Sequence, residues 1–325
     1  MTTAPAPARP SVALVAGGSR GLGLLMAREV AKAGLLPVLW ARDEDELAAA
    51  VRRLQAWGHE AVSMVCDVSD AAAVDDAVAH IESEIGPIEV SLHVAGIISV
   101  GPVASVPREQ FEQSMAIMAW GPINVALAVL PGMRERGRGR IGTVTSIGGK
   151  VSVPHLLPYS TAKFAAVGFS EGLRAELAGT GVTVTTLVPG LMRTGSHLRA
   201  KFTGDTAAEY AWFAPGASLP LVSMDAERAA ARMVRAVLRG RSTVLITPLS
   251  KVGARVAGVA PATTALAMGL MARALPTAPA GAVDGEPSAP IEGHDARAQL
   301  DSPLVERLTT WGTRAARRFG ELRNG

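Results

Sequence analysis

The chain has 325 residues, 48% hydrophobic and 19% charged, which is apolar material enough for one large core or two smaller ones. A net charge of +3 leaves no electrostatic footprint for nucleic acid, and a single cysteine, Cys66, excludes an internal disulfide framework and suits a reducing cytoplasm. The opening MTTAPAPARP lacks the apolar segment of a signal peptide and reads as a disordered lead-in over residues 1–10.

From Ser11 to about Pro189, short apolar runs alternate with longer stretches of helical period. The runs are SVALVAGG (11–18), LLPVLWA (35–41), AVSMVCDV (61–68), IEVSLHVAG (88–96), RIGTVTSIGG (140–149) and GVTVTTLVPG (181–190). Helical patterns over Asp43–Trp57, Ala71–Ile85 and Pro154–Leu177 lie between them. Strands alternating with helices mean βαβ units, and near-continuous apolar strands mean a sheet covered on both faces. The expected fold is α/β, a doubly wound parallel sheet of Rossmann type, with one catalytic domain over residues 11–250.

The order loosens after Gly190. Residues 191–223 read as a long connection of the kind that forms lids and binding loops. A helix at about 225–239 and a strand at 242–247 follow, then a helical extension over 251–275. The longest uncharged run there, 256–272, is broken by Pro261 and falls short of the roughly 20 strongly apolar residues a membrane span needs. Residues 276–303, with five prolines, read as a linker. An amphipathic helix over 304–325 ends the chain, with Leu304, Leu308, Trp311, Ala315, Phe319 and Leu322 on one stripe.

Straight after the first strand, AGGSRGLG places Gly17, Gly21 and Gly23 at a turn that opens a helix, with Ser19, Arg20 and Leu22 among them. Glycine lets the backbone approach a pyrophosphate, and the helix start offers free N–H groups and positive dipole. The second strand ends in Ala41 and Arg42, where an NAD site would carry an acidic residue. Two guanidinium groups without a carboxylate suit a 2′-phosphate, so NADP(H) is expected over NAD(H). The alternative is that Arg42 only pairs with Asp43 or Glu46.

Tyr159 stands four residues before Lys163, hence on one helical face, and Ser146 lies at the end of a strand where ligands bind in such folds. An ammonium beside a phenol is expected to lower its pKa toward useful acid/base range.

On Gly17-x-x-x-Gly21-x-Gly23, Asp67-Val68, Ala95-Gly96, Ser146, Tyr159-x-x-x-Lys163 and Pro189-Gly190 with Thr194, the chain resembles the short-chain dehydrogenase/reductase family over about residues 11–247. The resemblance implies hydride transfer between nicotinamide C4 and a carbonyl or alcohol carbon. It makes Tyr159 the general acid/base, Ser146 the group orienting the substrate oxygen, and Lys163 the ligand of the nicotinamide ribose. It gives Asp67 and Val68 to the adenine and Thr194 to the carboxamide, and it implies a homodimer or homotetramer.

Two departures stand out. His93 replaces an asparagine before Ala95-Gly96 and reads as a satisfied interior histidine, the alternative being a substitute hydrogen-bonding group near the cofactor. Met118 stands where the family's pattern has an asparagine that holds a relay water beside the lysine, and a thioether is a poor copy of an amide. Asn124 and Ser114 are weak stand-ins. A non-catalytic nucleotide-binding sensor of the same fold is the alternative that Met118 supports.

The 191–223 connection supplies Met192, Leu198, Phe202, Trp212, Phe213, Leu219 and Leu221, with Met224 just beyond it. These either line a pocket for a bulky lipophilic carbonyl or alcohol or close the core. His155 and Leu156 are expected at the pocket edge. The last helix, with Arg307, Arg314, Arg317, Arg318 and Arg323, either touches an anionic membrane surface or docks on its own domain or a partner subunit.

Overall fold

The computed structural model describes residues 9–220, 223–278 and 289–322. Seven strands, β1 (Val12–Ala16), β2 (Leu36–Ala41), β3 (Val62–Val65), β4 (Ile88–His93), β5 (Gly139–Val144), β6 (Val182–Val188) and β7 (Thr243–Leu245), form a parallel sheet in the order β7-β6-β5-β4-β1-β2-β3. The chain starts in the middle, winds outward to β3, and returns beside β1 to wind the other way. The reversal between β1 and β4 opens a crevice at the carboxyl ends of the strands, where such sheets bind ligands.

Around the sheet run α1 (Gly21–Lys32), α2 (Glu44–Ala56), α3 (Ala71–His80), α4 (Arg108–Glu135), α5 (Leu157–Glu176), α6 (Thr206–Ser218) and α7 (Ala226–Leu238). Asp43, Asp70, Asp205 and Asp225 cap α2, α3, α6 and α7 by accepting from backbone N–H groups of the first turn. Side chains of β1 alternate between two cores. Ala13 and Val15 face the layer of α1, α2 and α7, while Val12, Leu14 and Ala16 face that of α3, α4 and α5. Helix α4 is long and apolar enough to cross a membrane, yet it packs on β4, α3 and α5. A wide i→i+5 turn over Ala116–Trp120 interrupts it and carries Met118.

Beyond β7 come α8 (Pro248–Val259) and α9 (Pro261–Ala272), the second with no buried residue. Ile291–Glu292 pairs antiparallel with Lys201–Phe202, which pairs parallel with Ser99–Val100. Helices α10 (Gly293–Leu300) and α11 (Pro303–Arg318) then pack on α6.

Three expectations change here. The connection over 191–223 is largely ordered: it contains α6, and Leu198, Phe202, Tyr210 and Phe213 are buried in a third apolar cluster with Ala296 and Ala316. Those aromatics close a core against the C-terminal helices, and Leu221 lies outside the described residues. The stretch read as linker holds a strand and α10. The tail stripe holds only in its second half: Phe319 is buried and Ala315 and Leu322 pack on apolar clusters, but Leu304 and Trp311 are exposed, and Thr309, Gly312 and Ala316 face the domain. Small residues win because α11 lies close on α6, and a Cβ at Gly312 would collide with Ser218.

Candidate active site

Strand β5 delivers Ser146 to the crevice, and the first two turns of α5 deliver Tyr159 and Lys163 opposite it. Ser146 Oγ accepts from Gly148 N–H at 3.0 Å, and the Tyr159 ring lies on the same turn: a Cβ at Gly148 would stand 3.0 Å from Tyr159 Cε1 and 3.5 Å from Ser146 Oγ. Lys163 is 4% exposed; its Nζ donates to the Val144 carbonyl at 2.9 Å and lies 5.7 Å from the centre of the Tyr159 ring. Burial pushes the ammonium down to about 8. Burial also pushes the Tyr159 phenol up, against the pull of Ser146, so the expected lowering is corrected: desolvation outweighs the favourable contact.

Met118 is buried beside these groups. A Cβ at Gly96 would stand 3.3 Å from Met118 Sδ and 3.7 Å from Lys163 Nζ, so the thioether occupies the neighbourhood of the ammonium. Neither stand-in reaches it. Asn124 Nδ2 donates to the Val68 carbonyl at 2.9 Å, and the Ser114 hydroxyl is buried without a partner. His93 is interior and packs on Gly121 and Val68; among the described residues its ring nitrogens make no close hydrogen bond, though the Ile117 and Ala95 backbone lies near enough to act on the ring. Burial, then the charge of Lys163, pushes it down to about 3, so it is neutral.

At the glycine loop Gly17 and Gly21 take φ of +87° and +53°, and a Cβ at Gly23 would collide with the Gly17 carbonyl. Gly17 N–H and Gly18 N–H both donate to the Trp40 carbonyl, at 2.8 and 3.1 Å, and Ala95 N–H donates to Ala16 at 2.9 Å, which pins the loop beside Ala95-Gly96. Arg20 pairs with Glu46, which also takes Ser19 Oγ at 3.2 Å and Arg199 at 3.4 Å. Arg42 is exposed and stands 3.9 Å from Asp67, so its partner is neither Asp43 nor Glu46. Burial raises the Asp67 carboxyl, but bonds from Ser69 and the charge of Arg42 outweigh it and hold it low. Across the crevice Ile147 N–H donates to the Pro189 carbonyl at 2.8 Å, a Cβ at Gly190 would collide with Thr247, and Thr194 is buried, its Oγ1 accepting from Ser196 N–H at 3.3 Å.

A cradle that tolerates no Cβ, set at a helix start with exposed Arg42 nearby, has the shape and charge for a dinucleotide phosphate. Glu321 was missed by sequence reasoning. Its carboxylate stands over Gly21 and against Gly195, and Phe319 contributes a carbonyl to Gly21 N–H at 2.9 Å. An acidic residue just past an amphipathic helix carries no motif that marks it.

The family model described as short chain dehydrogenase matches residues 11–202. A putative ketoacyl reductase of Streptomyces coelicolor is 38% identical over 185 residues, 56% of this chain and 71% of its own length. Among solved structures, a variant of actinorhodin polyketide ketoreductase with NADPH superposes with a TM-score of 0.66 at 29% identity, over 74% of this chain and 97% of that one. A gluconate 5-dehydrogenase from Burkholderia cenocepacia in complex with NADP and tartrate gives 0.62 at 25%, over 74% and 95%. The chain belongs to the short-chain dehydrogenase family and is an oxidoreductase of the class acting on CH–OH and C=O groups.

Proposed function

We propose that the protein interconverts a carbonyl and an alcohol with NADP(H), with Tyr159 as general acid/base. The convergence of Ser146 Oγ and the Tyr159 ring on Gly148, beside buried Lys163, carries this reading. Gly17, Ser19, Arg20, Gly21, Leu22, Gly23, Arg42, Asp67, Val68, Ala95, Gly96, Pro189, Gly190 and Thr194 would hold the dinucleotide, whose nicotinamide, when bound, supplies or accepts the hydride. In reduction Ser146 holds the substrate oxygen and Tyr159 gives it a proton; in oxidation the proton returns. Lys163 keeps a positive charge beside the phenol, favouring the phenolate left after transfer.

A lipophilic carbonyl is the favoured substrate class. Trp212, Leu156 and Met192 are half-buried and remain available as apolar wall, and the similar ketoacyl and polyketide reductases support a ketone on a long acyl chain. NADPH oxidation against a panel of ketones tests this with Tyr159→Phe as the control. Turnover that persists in the variant removes Tyr159 from its role.

Association of copies is supported by Trp120, Leu127 and Phe164, exposed on α4 and α5; a monomer in sedimentation velocity removes it. Peripheral membrane contact fits the α8–α9 hairpin better than the tail. It exposes Val252, Val256, Val259, Leu266 and Leu270, and its charges, Lys251, Arg255 and Arg273, are all positive. Cosedimentation with anionic vesicles that is unchanged in Val259→Asp/Leu266→Asp would rule the hairpin out.

A further inference from the structure

The N-terminus of α1 is already engaged by the chain's own tail. Gly21 N–H, a free donor of the helix start, is taken by the Phe319 carbonyl at 2.9 Å. Glu321 is 6% exposed and lies between the glycine loop and the segment after β6: a Cβ at Gly21 would collide with Oε1, and one at Gly195 with Oε2. Arg199 Nε donates to the Glu321 carbonyl at 2.8 Å, and the charge of Arg20 reaches the carboxylate. Among the described residues no hydrogen bond reaches Glu321 Oε2, which is buried. Phe319, 3% exposed, anchors the segment in the apolar layer of α1 and α2.

An anion against a glycine-rich turn and a helix start, with guanidinium groups at its flank, fills the place that suits a dinucleotide pyrophosphate. An unpaired buried oxygen marks an imperfect occupant, because burying a carboxylate lone pair without a donor is costly. We propose that residues Phe319–Glu321 are a tethered competitor of the dinucleotide: tail and cofactor are alternative occupants of one cleft, and binding of the cofactor lifts the tail. This rests on the NADP(H) reading above. The device makes the enzyme self-limiting, since an agent that captures α11 would raise cofactor affinity without touching Tyr159.

The test uses the full chain. NADPH affinity is measured by nicotinamide fluorescence and calorimetry for the wild type, Glu321→Ala and Phe319→Ala/Glu321→Ala. Backbone hydrogen exchange over Pro303–Leu322 is followed in the wild type with and without saturating NADPH. The expected results are at least about tenfold tighter binding in the variants, equal to about 1.4 kcal/mol, and loss of tail protection when NADPH binds. Unchanged affinity, with a tail that stays protected at saturation, overturns the tail proposal and leaves the cofactor reading standing. Should neither wild type nor variants bind NADPH, the cofactor reading fails and this proposal with it. The exchange measurement keeps its force if the double variant does not fold.

Discussion

The Lys163 ammonium donates to the Val144 carbonyl at 2.9 Å, tying α5 to the last residue of the strand that leads to Ser146. A helix that slid along the sheet would break this bond and part Tyr159 from Ser146 together. In the proposed mechanism Lys163 therefore has two jobs, one electrostatic and one positional, and its charge is the more sensitive to conditions.

Burial holds Lys163 at about 8 and holds the Tyr159 phenol above its ordinary value. Through neutrality the phenol is protonated and the lysine charged, the pair a reductase needs. As pH rises past about 8 the ammonium is lost while the phenol keeps its proton. The expected pH profile of kcat for ketone reduction is level around neutrality and falls above about pH 8. A rate that climbs through that range overturns this assignment of the limb.

Met118 offers a second handle on the same limb. Its thioether is a weak acceptor beside an ammonium that donates to the Val144 carbonyl. Met118→Asn puts an amide oxygen in reach of Lys163, favouring the charged form. The alkaline limb should move to higher pH, while the less apolar core costs about 1–2 kcal/mol in a urea titration. A limb that stays put means that the side chain at this position does not act on the lysine.

The sheet was legible because each of its buried strands is a short apolar run between turn residues, and the glycine loop because φ values of +87° and +53° leave little but glycine possible at Gly17 and Gly21. Ser146, Tyr159 and Lys163 could be picked out as a set since two share a helical face and the third ends a strand. The tail was misread because periodicity reports where large apolar residues lie. At α11 the buried residues are Thr309, Gly312 and Ala316, small side chains that a search for large apolar residues passes over. Glu321 was invisible for a different reason: its meaning comes from what lies opposite it, 300 residues away in the chain (321 − 21).

Glu209 is fully buried, with Oε1 at 2.8 Å from His155 Nδ1 and Oε2 accepting from Trp212 Nε1 at 2.6 Å. It holds His155 in a left-handed conformation, φ +62°, four residues ahead of Tyr159. Burial raises the carboxyl although both bonds oppose it. Glu209→Ala leaves both partners unpaired and should cost about 3 kcal/mol in urea unfolding, while Glu209→Gln should cost less than half of that. In Glu209→Gln, KM should rise several-fold with kcat held, because the change falls on the pocket edge and not on the hydroxyl pair. A fall in kcat at constant KM would place Glu209 in the proton path instead.

The tail brings its own pH dependence. Burial raises Glu321 to about 7, against the pull of the Arg20 charge, the adjacent Gly195 backbone and the Arg199 charge. The groups around it include Arg20 from the glycine loop, Arg199 after β6, Arg53 from α2 beside Gly320, and Glu46, which pairs with both Arg20 and Arg199. With the docked pKa above the undocked value of 4.5, the docked state binds more protons across that window. Docking is therefore strongest at low pH, weakens as pH rises from 4.5 to about 7, and is level beyond. A weaker competitor means tighter cofactor binding, so the NADPH dissociation constant of the wild type should fall as pH approaches 7. Glu321→Gln imitates the protonated carboxyl and should lose this part of the trend, while keeping any part due to titration of the cofactor's own phosphate. The difference between the two titration curves isolates Glu321, and curves that run parallel would show that its carboxyl does not compete for the cleft.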